Sequence, residues 1–142
     1  LRVRQLETLH ELDRLILRNE PEVVMQTIVA RLVDMFEALH AEIFLLEDGR
    51  LVLQAVRGLP PDVEIPRAIS LEEGVVGQVA RTRRPFFSLD VSGTSGYLKV
   101  DPRTQAECAV PIISEQGVLY GVLNLESASP RVLLGGGVQH FL

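Results

Sequence analysis

Tryptophan is missing from this chain of 142 residues, cysteine occurs once, and the aromatic side chains amount to five Phe and two Tyr. A lone cysteine, Cys108, excludes an internal disulfide and suits a reducing cytoplasm, the expected location. No apolar run approaches the length of a membrane span and no signal-peptide pattern opens the chain, so no membrane partner is expected. The three histidines, His10, His40 and His140, stand far apart and at no ligand spacing from one another or from Cys108. Spacing therefore gives no metal site, and no cofactor is expected. Basic residues are outnumbered by acidic ones, leaving a formal charge of −5, which argues against nucleic acid or an anionic membrane surface as the main partner.

What is present is apolar residue in quantity, 46% of the chain, enough for one core and one domain. The chain begins at Leu1 rather than Met and is read as a piece of a larger protein. Residues 1–20 are free of Gly and Pro and form a helix on propensity. Leu9, Leu12 and Ile16 fall at 3–4 spacing, but one heptad is too little for a coiled coil. Two readings stand: a helix packed on its own domain, or a dimerising helix entering from an upstream module, with Leu9, Leu12 and Ile16 as interface candidates. Residues 21–142 form the domain proper.

Pro21 opens a second helix, where its missing N–H is no loss. Met25, Val29, Leu32 and Phe36 give it a broad core stripe, and it should end between Glu37 and Leu39. Two β-rich runs flank Asp48-Gly49-Arg50 and read as a hairpin. Gly58, Pro60, Pro61 and Pro66 make a loop, with Ala68 to Leu71 extended at its end. Glu72-Glu73-Gly74 opens a helix over Val75 to Arg81, two acids sitting at the positive end of its dipole. After Pro85 comes a short strand, Phe86 to Leu89, then a mobile loop or short helical piece over Ser92 to Arg103. ECAVPII (107–113) and GVLYGVLNLES (117–127) form a second hairpin turning at Glu115-Gln116-Gly117. Gly135-Gly136-Gly137 is a break, and Val138 to Leu142 starts a further helix.

This order of helix, helix, hairpin, loop, helix, short strand, loop and hairpin is α+β rather than alternating βαβ. The series GVVGQVARTRRPFFSLDV (74–91), ECAVPII and GVLYGVLNLES resembles the GAF domain, a ligand-sensing and dimerising module of bacterial signalling proteins and phosphodiesterases. The resemblance covers the last two thirds of the chain. It implies a GAF/PAS-like central antiparallel sheet, terminal helices on one face and a ligand cavity on the other.

Alternation along the second hairpin sorts its side chains. Leu119, Gly121, Leu123 and Leu125 share one face with Cys108, Val110 and Ile112, and this apolar face should meet the helices. Tyr120, Val122, Asn124 and Glu126 share the other with Glu107, Ala109 and Pro111, where the resemblance places the cavity. Glu107, Asn124 and Glu126 over an apolar floor suit a cationic or hydrogen-bonding ligand. Phe86, Ala109, a rim position at Asp90 and a lid aromatic at Tyr97 complete the pocket candidates.

Cys108, pointing into the helix-facing core, is a structural thiol with a raised pKa. Some GAF-like proteins are free methionine sulfoxide reductases, which implies several cysteines with the attacking thiol in the loop before the ECAVPII-like strand; residues 90–106 contain none. His40, which borders the first strand, is read as a helix-end residue rather than a haem ligand. Covalent bilin attachment implies Cys followed by His, whereas Ala109 follows Cys108. The cyclic-nucleotide signature finds no support, Lys99 being the only lysine. Arg81, Arg83 and Arg84 form a basic turn.

The expectation is therefore a regulatory domain without catalysis of its own, from a sensor histidine kinase or cyclic-di-GMP enzyme. It would bind an unknown small molecule, associate as a homodimer, and relay through its terminal helices to a covalently linked output domain. The alternative is a structural dimerisation module whose pocket is filled by side chains.

Overall fold

The computed structural model describes residues 20–93 and 101–129. The interface candidates Leu9, Leu12 and Ile16, the lid candidate Tyr97, and the expected break and helix after Gly135 lie outside the described residues. Helix α1, Pro21–Phe36, starts at its proline as the sequence requires and stops where Glu37 turns left-handed with φ of 49°. Its stripe is the expected one: Val29 and Phe36 are buried, with Met25, Ile28 and Leu32 packed beside them.

Six strands follow: β1 His40–Glu47, β2 Arg50–Arg57, β3 Ala68–Ser70, β4 Phe86–Ser88, β5 Ala106–Ile113 and β6 Leu119–Ser127. Helix α2, Gly74–Thr82, lies between β3 and β4, and a 3-10 turn spans Val91–Gly93. The strands make one sheet in the order β3-β2-β1-β6-β5-β4. Every pairing is antiparallel, so the strands are joined as hairpins or long returns rather than by βαβ crossovers. The β1–β2 hairpin turns on Asp48 and Gly49, both at positive φ, as the Asp-Gly pair demands.

The two faces of this sheet have different covers. Ala41 and Ile43 of β1, Ala55 of β2, Cys108 of β5 and Leu125 of β6 pack under α1. Phe44, Leu51, Ile69, Ala109 and Val122 point the other way and pack under Val75, Val76, Val79 and Ala80 of α2. Alternation thus delivers the two-faced sheet the sequence implies. Two residues depart from it, Leu119 and Tyr120. A register shift between Ile112 and Ile113 sets Ile113 against Leu119 while Ile112 pairs with Gly121. The bulge carries Leu119 to the α2 side and leaves Tyr120 exposed, so strict alternation misplaces both.

The centre of the sheet is built tightly at Gly121 in β6. A methyl group there would collide with the carbonyl oxygen of Phe44 on the neighbouring strand, so only glycine lets β1 and β6 close. Gly121→Ala should therefore cost roughly 1–3 kcal/mol of stability. Urea denaturation followed by circular dichroism checks this, and an unchanged midpoint would contradict the close approach.

Candidate functional site

Antiparallel pairing across β4, β5, β6 and β1 sets polar residues shoulder to shoulder on the α2 side. Glu107 pairs with Glu126, Glu126 with His40, and Asn124 with Glu42. The period of two along each strand does the rest: His40 and Glu42, Asn124 and Glu126, and Glu107 all face one way, continuous with the apolar patch of Phe44, Ala109 and Val122. None of these five polar residues is more than 4% exposed.

Within the cluster, His40 Nδ1–H donates to Glu42 Oε2 at 3.0 Å. Asn124 Nδ2 donates to Glu126 Oε2, also at 3.0 Å. The other ring nitrogen of His40 stands 3.7 Å from Glu126 Oε2 and 3.9 Å from Asp101 Oδ2, beyond hydrogen-bond range. Asp101 is itself fully buried and gripped by Arg103, whose Nη2 and Nε donate to its two oxygens at 2.7 and 3.1 Å. Among the described residues, four buried side-chain atoms have no hydrogen-bond partner: His40 Nε2, Thr104 Oγ1, Glu107 Oε1 and Asn124 Oδ1. Three of the four, all but Thr104 Oγ1, belong to the cluster, and since buried polar atoms are almost always paired, that concentration needs an explanation.

A cavity of about 40 Å³ opens beside the cluster. Glu42, Glu107, Asn124 and Glu126 line one side; Phe44 and Ile69 form an apolar floor; Glu73, Gly74, Val75 and Val76, the start of α2, close the opposite side. The amides of a helix's first turn have no intrahelical acceptor and carry the positive end of its dipole. Acidic groups therefore face a helix N-terminus across the same space.

Two of the acids, Glu42 and Glu107, hold protons tightly. Burial, then the neighbouring Glu126 and Glu42 carboxylates, push Glu107 well above its ordinary 4.5. Burial raises Glu42 as well, against the pull of His40. Burial would lower His40, but its bond to Glu42 and the charges of Glu42, Glu126 and Asp101 outweigh this and lift it above 6.5. Arg103 holds Asp101 below the usual carboxylate range.

Of the pocket residues expected from sequence, Glu107, Asn124 and Glu126 come together at the cavity. Ala109 is buried beneath α2 and Phe86 packs beside it, both belonging to the apolar patch. Asp90 is exposed and accepts from the amide and hydroxyl of Ser92, which lowers its pKa; it caps the 3-10 turn and is not among the residues lining the cavity. Cys108 lies on the opposite face, under α1, where burial pushes its thiol up to about 12.

His40, Glu42 and Asp101 were missed. His40 is not the helix-end residue expected: it opens β1, fully buried, its partner two residues along the same strand. The signal was available, because an HAE sequence entering an apolar strand puts His and Glu on one face. Asp101 lies outside any strand or helix and carried no such signal.

A GAF domain family model matches residues 19–134, and the chain belongs to that family. Protein YtsP of Bacillus subtilis is 35% identical over 81 residues, covering 57% of this chain; the chain spans about half of that relative's length, 47%. Among solved structures, the GAF domain of an Acinetobacter phosphoenolpyruvate-protein phosphotransferase shares the fold at TM-score 0.75 and 21% identity, over 96% of this chain and 87% of its own. A type II free methionine-R-sulfoxide reductase from Thermoplasma acidophilum aligns at TM-score 0.66 and 26% identity, over 74% of this chain and 72% of its own.

That last likeness corrects one expectation. Absence of catalysis does not follow for this chain, because a fold relative at 26% identity is an enzyme. No helix among the described residues is long and apolar enough to cross a membrane.

Glu107, Glu42 and His40 all have raised folded-state pKa values, so each favours the protonated protein. Their contribution to stability is complete at low pH and is lost as pH climbs from the unfolded values, 4.5 for glutamate and 6.5 for histidine, through the folded ones. Glu107→Gln should therefore raise stability at pH 8 and flatten its decline between pH 5 and 8. Thermal melts across that range in chelator-containing buffer measure it, and a variant that declines as steeply as the parent would contradict the assignment.

Proposed function

We propose that this chain is the ligand-sensing domain of a larger bacterial signal-transduction protein and that its pocket takes a small zwitterion of the free amino acid class. The observation that supports the reading is the two-sided polarity of the cavity, with Glu107, Asn124 and Glu126 on one side and the N-terminus of α2 on the other. An ammonium group meets the acids, a carboxylate meets the amides of the helix, and an apolar side chain lies on Phe44 and Ile69. Binding would move an equilibrium by favouring one state of the domain, which terminal helices would pass to an output domain. Homodimerisation through Leu9, Leu12 and Ile16 is part of the same proposal.

Free methionine-R-sulfoxide, named in the Thermoplasma reductase, is the first compound to titrate by calorimetry, followed by other amino acids and their N-acetyl and amide derivatives. A free amino acid should bind, and N-acetylation or Glu126→Gln should weaken it at least about tenfold, the loss of one charge-assisted contact. A protein that binds no member of the panel and purifies as an empty dimer would instead support the structural dimerisation module.

The dimer is tested separately. Replacing Leu9 and Ile16 together with Lys should leave the domain folded and shift it to monomer by light scattering. A double variant that stays dimeric removes the first twenty residues as the seam.

A further inference from the structure

Three features of the cluster remain after the zwitterion is placed. His40 Nε2 is buried without a partner, it faces carboxylate oxygens at 3.7 and 3.9 Å, and its ring is turned by Glu42 through Nδ1. Those gaps are too long for hydrogen bonds. They are the separation of two ligands on one ion: with bonds of roughly 2.0–2.2 Å, a metal bridges a nitrogen and an oxygen about 3.7 Å apart at an angle of about 120°. One donor atom each from His40, Glu42 and Glu126 lies within 4.8 Å of the other two. A histidine whose far nitrogen donates to a carboxylate is the usual preparation of a metal-ligating imidazole, since it fixes the tautomer and leaves the Nε2 lone pair forward.

We propose that His40, Glu42 and Glu126 form a site for a divalent transition-metal ion of the zinc class, at the inner end of the pocket. His40 supplies Nε2 and Glu126 a carboxylate oxygen. Glu42 orients the ring from Nδ1, on the side away from the ion, while Asp101, held by Arg103, stands 3.9 Å from Nε2 as a second carboxylate on the ion's side. One imidazole among carboxylates suits zinc or its first-row neighbours better than calcium or magnesium, which favour all-oxygen shells. The ion would add positive charge beside a cluster of buried glutamates, and it would leave Glu107 and Asn124 for the organic ligand. The inference goes beyond the sensing reading and shares only Glu126 and Glu42 with it.

Zinc chloride titrated into chelator-treated protein tests it, with elemental analysis after gel filtration and cobalt substitution as a spectroscopic probe. One equivalent should bind, at micromolar affinity or better, and the cobalt form should show visible bands of a nitrogen–oxygen site. His40→Gln and Glu126→Gln should each lose at least tenfold in affinity. Replacing His10 and His140 together with Gln should leave binding unchanged, and Glu107→Gln should keep zinc while weakening the amino acid. If the His40 or Glu126 variants fail to fold, the parent protein alone decides. No stoichiometric zinc or cobalt uptake by the folded parent overturns the site, leaving His40 a plain imidazolium, as does uptake that disappears with His10 and His140. In the parent protein, absence of amino acid binding with zinc uptake intact would sink the zwitterion reading and leave the metal site standing.

Discussion

Everything on the α2 side of this sheet is organised by the cost of burying carboxylates. Glu42, Glu107 and Glu126 are withdrawn from water on neighbouring strands of one sheet face, with Asp101 near His40 beside them. A buried carboxylate is tolerable only if it is protonated, hydrogen-bonded or matched by a cation. Asp101 is matched by Arg103, and Glu42 meets His40, but Glu107 is left with raised proton affinity and an unpartnered oxygen. Proteins retain such arrangements chiefly where function draws on them.

The fold imposes the arrangement rather than merely permitting it. β1 and β6 lie at the middle of a six-stranded antiparallel sheet, so their registers are fixed from both sides. Moving either strand by one residue would turn Ala41, Ile43 and Leu125 away from α1 and drive His40, Glu42 and Glu126 into that core instead. The apolar packing under α1 thereby sets the position of every acid on the other face. Gly121 adds a second lock by letting β1 and β6 approach closely. The site inherits its precision from packing that takes no part in its chemistry.

Much of this was legible in the residues. Period-two alternation in β5 and β6 was enough to place Glu107, Asn124 and Glu126 together and Cys108 opposite, because both strands run regularly through those positions. It failed at Leu119 and Tyr120, where a bulge changes the count and nothing in LYG announces it. The first hairpin was read for its turn, and the faces of its strands were left unsorted, so His40 and Glu42 were lost from the cluster. Asp101 depends on how a loop returns to the sheet, information that no periodicity carries. Asp90 was drawn toward the cavity by resemblance, whereas its own chemistry, a short acid before Ser92, makes a local cap. Resemblance also led toward excluding catalysis by counting cysteines, an exclusion that the reductase relative removes.

The central claim is that this buried cluster is completed by a cation from outside the chain. Proton uptake and release report on it directly, because a cation that enters must displace protons from groups whose affinity for them is raised. Calorimetric titration of chelator-treated protein at pH 6 with zinc, repeated in two buffers of different ionisation enthalpy, counts the protons exchanged. Net release on binding, abolished or reduced in Glu107→Gln and His40→Gln, is the result expected of a cation-completed site. Binding with no proton exchange, or no binding by the folded protein, would show instead that protons alone complete the buried pair Glu42 and Glu107.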